Sequence, residues 1–253
     1  MIRNNVELIR NVVSSNKLDN FLSEMSLFFN LRVNDFEDLK HGLIDIRNND
    51  EEIYLNKMKV FSKSILVRNF IDFDTLTKIA RNQGIDFPTQ FSYPVLHISC
   101  NDLIPDKAKR GVKTHQDWPS QLGSLNSIVV WVPIYGADNS NGGLWFYGKA
   151  EPARLFNAES NGSVTQISED ALGDYKSEYF SVSPGDALVF NQLIPHKSLP
   201  NPSFRISISF RIEDGMDKEW ENRNFEYAHE IKINRFGFDN EKFEEINNVI
   251  RKN

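Results

Sequence analysis

The sequence predicts an α+β fold in which a double-stranded β-helix, or jelly roll, is preceded by a helical buttress and followed by a helical appendage. Three observations point there. Apolar residues in the first third recur at helical spacing; after Pro88 the texture changes to short runs of Val, Ile, Phe and Trp split by Gly, Pro, Asn and Asp; and the number of such runs suits a jelly roll. With 253 residues the chain is long enough to bury a full core as one domain. Its expected parts are residues 1–90 as helical support, 91–214 as the jelly-roll core and 215–253 as the C-terminal appendage.

From Val6 to about Leu31, Leu8, Ile9, Val12 and Val13, then Phe21, Leu22, Met25, Phe28 and Phe29, follow the helical period, and Asp35 to Ile46 continues it. Asp72 stands where an N-cap belongs, and Phe73, Leu76, Ile79 and Ala80 predict a helix from Phe73 to Asn82, stopped by Gly84. The expected strands are Pro94 to Ser99, Ser127 to Pro133, Gly143 to Tyr147, Glu178 to Val182, Ala187 to Phe190 and Phe204 to Ile212. Beyond Asp214 the chain turns polar and charged, with a last helical stretch near Asn240 to Lys252.

Hydrophobic residues at 40% and charged residues at 25% are ordinary for a globular protein, and a formal charge of -6 argues against a surface that works by neutralising many phosphates, so no nucleic-acid partner is expected. The single cysteine, Cys100, cannot form an intrachain disulfide and reads as a packed core residue. The start MIRNNVELIRNVVSS lacks the apolar stretch of a secretory signal, and no run approaches the roughly 20 apolar residues of a membrane span. A cytoplasmic protein acting on a small molecule is the expectation.

Among five histidines, His115 stands out, in Lys113-Thr114-His115-Gln116-Asp117-Trp118. On an extended segment a His and an Asp two apart point to the same side, so both can reach one ion, although such a tripeptide alone is a weak signal. His196 is the best third ligand: it follows Pro184-Gly185-Asp186 and the apolar strand Ala187 to Phe190, which would deliver it to the barrel mouth. Two imidazoles and one carboxylate on one face of an octahedron leave three positions open, the arrangement used by non-haem iron(II) oxygenases. Further on, strand alternation puts Arg205, Ser207, Ser209 and Arg211 on one face and Phe204, Ile206, Ile208 and Phe210 on the other. An arginine among apolar strands needs a carboxylate to offset its desolvation. For Arg205 that carboxylate is either a protein acid such as Glu213 or Asp186, or the distal carboxylate of 2-oxoglutarate. Arg211 is expected to be an ion-pairing or surface residue.

In their order and spacing these motifs resemble the phytanoyl-CoA dioxygenase family of iron(II)- and 2-oxoglutarate-dependent oxygenases, a family with a cupin-like jelly roll. The resemblance covers roughly Ser92 to Asp214. It rests on His115-Gln116-Asp117, the strand with Trp131, Asn141-Gly142-Gly143-Leu144, Pro184-Gly185-Asp186, and His196 through Arg211. It implies that His115, Asp117 and His196 hold Fe(2+), that Arg205 grips 2-oxoglutarate with help from Ser198 and Ser207, and that Gln116 and Trp131 line the cosubstrate pocket. It also implies consumption of O2, hydroxylation of an unactivated C–H bond, and release of succinate and CO2. Because Asp117 supplies a carboxylate ligand, the position that halogenating relatives give to chloride is filled.

Gly148-Lys149-Ala150-Glu151 stands where many members have a glycine-serine-histidine tail, and the Phe156 to Tyr175 region is particular to this chain, so acyl-CoA is not carried over as substrate. The basic cluster Lys107, Lys109, Arg110 and Lys113, with Trp118, Gln121, Asn126 and Tyr135 near the expected mouth, suggests a polar or anionic metabolite such as a sugar or nucleotide-sugar. Lys113, Trp118, Asn126 and Arg110 are the candidate substrate residues. Two other readings stand beside this one: a zinc hydrolase or isomerase with the same ligands, and a non-catalytic jelly-roll binding module.

Overall fold

The computed structural model describes residues 6–90, 92–104, 111–121, 123–137, 142–148, 154–157, 159–161, 164–198 and 204–222. The chain opens with strand β1 (Val6–Ile9), then helices α1 (Ser15–Phe29), α2 (Phe36–Asn49), α3 (Glu51–Phe61), α4 (Ile65–Arg68) and α5 (Phe73–Asn82). Strands β2 (Pro88–Thr89), β3 (Val95–Ser99) and β4 (Val112–His115) follow, then helix α6 (Trp118–Gln121) and strands β5 (Ser127–Tyr135), β6 (Leu144–Gly148), β7 (Glu159–Asn161) and β8 (Val164–Gln166). Helix α7 (Glu169–Leu172), strands β9 (Lys176–Phe180), β10 (Ala187–Asn191), β11 (His196–Ser198) and β12 (Arg205–Asp214), and helix α8 (Lys218–Asn222) complete it.

Acidic caps set three of the helices. Asp35, Asp50 and Asp72 accept hydrogen bonds from the N–H groups of Asp38, Ile53 and Thr75, satisfying donors that the helix leaves open at its first turn. Helix α1 ends at Asn30, whose left-handed φ of 57° turns the chain away.

The expected helix from Val6 to Leu31 is corrected at its start. Residues 6–9 form β1, paired antiparallel with β10 from Val6↔Phe190 to Ile9↔Ala187, and the helix begins only at Ser15. The spacing of Leu8, Ile9, Val12 and Val13 fits a helix, but β10 offers an edge whose backbone groups need a partner, and pairing it outweighs local preference. Asp186 fixes the turn that follows, accepting from Asn11 N at 2.9 Å and from Arg10 Nη1 at 2.5 Å. The helix expected near Asn240 to Lys252 lies outside the described residues.

Two antiparallel sheets build the jelly roll. The larger runs β1-β10-β5-β12-β2 with β3 also paired to β12, the smaller runs β4-β11-β6-β9, and β7 and β8 form a separate hairpin. Strand alternation divides the core. Ile206, Ile208, Phe210 and Ile212 of β12 and Val130, Val132 and Ile134 of β5 pack outward against Phe21, Met25, Phe29, Leu39 and Leu43 of the helices. Val129 and Trp131 of β5 with Leu188 and Phe190 of β10 turn the other way, against Leu144 and Phe146 of the smaller sheet. Both faces of β5 and β12 are thus covered, and the odd-numbered face of β12 points into the roll. Gly136, just past β5, makes this close packing possible: its φ is +73°, and a Cβ there would sit 2.0 Å from the Phe204 carbonyl oxygen. Among the described residues no helix is long and apolar enough to cross a membrane.

Candidate metal centre

Strands β4 and β11 are antiparallel neighbours, and His196 lies directly opposite His115. Residues opposed across such a ladder share a face, and the two imidazole centroids are 4.3 Å apart. Asp117 lies just past β4, where its N–H and that of Trp118 both donate to the Gln192 carbonyl, at 3.0 and 3.2 Å. This pins the end of the His-Gln-Asp segment to the turn that leads into β11. The ligand atoms of His115, Asp117 and His196 all lie within 4.8 Å of one another.

His196 reaches this position differently from the sequence expectation. Strand β10 ends at Asn191 in the larger sheet, and a turn in which Leu193 N donates to Asn191 Oδ1 (2.8 Å) carries the chain across to β11 in the smaller sheet. His196 therefore opens a new strand; it does not hang from the end of the apolar one.

The local hydrogen bonds prepare both rings for a metal. His115 Nδ1 lies 2.8 Å from Lys113 O and His196 Nδ1 lies 3.0 Å from Ile194 O. A carbonyl can only accept, so each Nδ1 carries the proton and each Nε2 keeps its lone pair for a ligand bond. Burial, helped by the neighbouring His115, pushes the His196 pKa down to about 4, which keeps the ring neutral at pH 7. Burial would raise the Asp117 carboxyl, but Arg211 beside it and the neighbouring His115 and His196 rings hold it well below the usual carboxylate range. Neutral imidazole and ionised carboxylate are the forms that bind a divalent metal.

Behind the three residues is a cavity of about 60 Å³. Val129, Trp131, Leu144 and Phe190 form its apolar wall, and Arg205, Ser207, Ser209 and Arg211 of β12 form a polar one. Arg205 is 4% exposed. Its Nη1 donates to Gly142 O at 3.0 Å, while its Nε is buried with no partner among the described residues. Burial draws its pKa down to about 10, so it stays cationic at neutral pH. Neither protein acid considered for it serves: Asp186 is engaged by Arg10 and Asn11, and Glu213 accepts from Ser124 N at the far end of β12. The Ser207 hydroxyl is likewise buried without a partner among the described residues. Buried polar groups are rarely left unsatisfied, so three donors without partners among the described residues on the wall of one cavity, Arg205 Nε, Ser207 Oγ and Arg211 Nε, fit an anionic ligand.

No family model matches the chain. A methylphosphonate hydroxylase from Gimesia maris is 34% identical over 91 residues, which is 36% of this chain and 34% of that relative. The match thus spans about a third of the curated relative's length. Among solved structures, the non-heme alpha-ketoglutarate-dependent carbocyclase SnoK from nogalamycin biosynthesis aligns with a TM-score of 0.51 at 12% identity, covering 92% of this chain and 91% of its own. The epimerase SnoN, in complex with Fe3+, alpha ketoglutarate and nogalamycin RO, aligns with a TM-score of 0.50 at 11% identity over 83% of this chain and 79% of its own. The chain shares their fold. The cupin-like jelly roll with its helical support is therefore the architecture of this protein.

Of the residues singled out in the sequence, the fold gathers His115, Asp117, His196, Ser198, Arg205, Ser207 and Trp131 around the cavity. Ser198 Oγ accepts from Val112 N at 3.0 Å, tying the two ligand strands together. Other candidates sit elsewhere. Gln116 is a buried brace: its Nε2 donates to Arg154 O (2.7 Å) and Leu193 O (2.5 Å), and its Oε1 accepts from Phe156 N (2.9 Å). Trp118 is core, 1% exposed, with Nε1 donating to Gly123 O and Ser124 O. The Asn126 amide donates to Gly84 O and Asp214 Oδ2. Lys113 is exposed on β4. Arg110, with Lys107 and Lys109, lies outside the described residues.

Two further titratable residues line the cavity: Arg211, whose expected ion-pairing role the structure bears out, and His97, which the sequence did not single out. Arg211 is 9% exposed, and its Nη2 donates to Asp117 Oδ1 at 3.1 Å. Alternation from Arg205 already placed it on the inner face, and that was the available signal. His97 of β3, opposite Ser207, also lines the cavity. Burial and the charges of Arg211 and Arg205 push its pKa down to about 4. Its strand gave no sign of which face turns inward until the pairing with β12 was known.

Proposed function

We propose that this chain is an iron(II)- and 2-oxoglutarate-dependent oxygenase that hydroxylates a C–H bond of a small polar or anionic metabolite, releasing succinate and CO2. One observation carries the proposal: a His-Asp-His set and a buried arginine with no protein carboxylate among the described residues line the same cavity. A zinc hydrolase needs the metal set but has no use for the arginine. A binding module with no catalytic role has no use for a His-Asp-His set beside the anion-binding arginine. The resemblance to the phytanoyl-CoA dioxygenase family and the local similarity to a methylphosphonate hydroxylase support the same choice.

In this proposal His115 and His196 hold the metal through Nε2 and Asp117 through a carboxylate oxygen. Bound iron(II) with 2-oxoglutarate and O2 supplies the oxidising chemistry that a side chain cannot. Arg205 and Ser207 take the distal carboxylate of 2-oxoglutarate, with Ser198 beside them and Trp131 as a wall. Val129, Leu144 and Phe190 give the cavity an apolar wall that holds water away on that side, which protects a reactive centre from side reactions. For the substrate, the relative that acts on a phosphonate and the basic residues between Lys107 and Lys113 support an anionic group such as a phosphonate, phosphate or carboxylate.

The test is anaerobic addition of iron(II) and 2-oxoglutarate, expected to produce a visible metal-to-ligand charge-transfer band and then succinate when air is admitted. Folded protein that binds metal yet develops no band with 2-oxoglutarate overturns the proposal.

A further inference from the structure

We propose that Arg211 is a positioning residue, whose guanidinium holds the Asp117 carboxylate in the orientation in which it meets the metal; this rests on the metal-site reading above. The contact is direct. Arg211 Nη2 donates to Asp117 Oδ1 at 3.1 Å, with the two side chains 9% and 6% exposed. That same Oδ1 lies 3.5 Å from His115 Nε2, so the guanidinium grips the oxygen that faces the ligand histidine.

Asp117 needs such a partner because of where it sits. It lies past the end of β4, so no ladder bond steadies it; its N–H donates to the Gln192 carbonyl and its own carbonyl accepts from Ser120 N and Oγ, contacts that fix the backbone and leave the carboxylate to be oriented by its side-chain partners. Its side chain keeps two free torsions. The adjacent His115 spends its Nδ1 proton on Lys113 O, and its Nε2, 3.5 Å from Asp117 Oδ1, is the atom that turns to the metal, so Arg211 at 3.1 Å is the nearer anchor of the carboxylate. Arg211, in contrast, stands on the ten-residue strand β12, where its backbone is registered to Val129 of β5. A rigid strand holding a fork-shaped donor is a good anchor for a carboxylate on a loop.

The rest of Arg211's surroundings leave Asp117 as its chief partner. Nη1 is 3.5 Å from Ser209 Oγ, a marginal contact, and Nε is buried without a partner among the described residues. Glu213, two residues along the same face, accepts from Ser124 N. A cation this close to a metal site repels a divalent ion. If Arg211 acted only by its charge, its removal would tighten metal binding; if it positions Asp117, removal weakens it. The two accounts predict opposite signs.

The experiment is titration of metal-free protein with Co(II), read from its visible d–d absorption, for wild type, Arg211→Gln and Arg211→Lys. Loss of a residue that orients a ligand is expected to weaken Co(II) binding about 10- to 100-fold and to change the d–d spectrum, with Arg211→Lys in between. Wild-type affinity or tighter binding in Arg211→Gln, with an unchanged spectrum, overturns the proposal. Should Arg211→Gln fail to fold by circular dichroism, Arg211→Lys decides: weaker binding with a shifted spectrum supports the role, and identity with wild type overturns it. Wild-type protein that takes up no Co(II) is a separate result, because it removes the metal site itself.

Discussion

Replacing Arg205 by alanine is expected to weaken 2-oxoglutarate binding by two to three orders of magnitude and to leave the metal in place. The guanidinium is 4% exposed, Nη1 is committed to Gly142 O, and Nε has a proton and no partner among the described residues. A carboxylate arriving there gains charge-assisted hydrogen bonds worth roughly 1.5–3 kcal/mol each. Two such bonds give about 3–6 kcal/mol; the lower end applies because the alanine variant relieves the burial of an unpaired cation, so ~3–4 kcal/mol, or a ~200- to 1000-fold rise in Kd, is expected. The assay is anaerobic titration of the iron(II) protein with 2-oxoglutarate, following the charge-transfer band, with Co(II) uptake measured in parallel. A Kd within about threefold of wild type would refute the reasoning, since even one lost charge-assisted bond exceeds that. So would metal loss equal to that of a ligand variant.

His196→Ala, in contrast, is expected to abolish stoichiometric metal retention after gel filtration and the charge-transfer band with it; metal analysis checks this. Gly136→Ala should destabilise the fold by about 3 kcal/mol or more, because the left-handed φ and the 2.0 Å approach to Phe204 O act together, and urea unfolding measures it. Asp72→Ala removes the cap on α5 and should cost about 1 kcal/mol in the same assay. Burial would raise the Asp214 carboxyl, but the N–H groups of Met216, Asp86 and Phe87 and the Asn126 amide hold it below its ordinary 3.8. A folded pKa below the unfolded one stabilises the protein above the unfolded value, and the gain is lost as the pH falls through the folded value. Asp214→Asn should therefore cost about 1–3 kcal/mol at pH 7 and progressively less below roughly pH 4, and a pH-independent gap would count against this account.

Much of the jelly roll was legible because period-2 alternation is local. The face of Arg205, Ser207, Ser209 and Arg211 follows from the chain itself, as does the cap at Asp72 that starts α5 at Phe73. The N-terminal strand was not legible, because residues 6–9 carry a helical apolar spacing and become a strand only by meeting the edge of β10. Trp118 and Asn126 stand near the metal motif in sequence, yet their side chains close on backbone and acid groups away from the cavity, and sequence proximity says nothing of that.

By itself the sequence determined which side chains could share an ion and which strand would carry cationic donors, since both depend on residue type and local phase. Only the tertiary structure decided that His196 opens a strand opposite His115, that Arg205 is left without a protein acid among the described residues, and that Arg211 reaches Asp117. Those outcomes depend on the register between segments far apart in the chain. That register is set by burying both faces of β5 and β12 at once, between the helices and the smaller sheet, and no short stretch of sequence contains it.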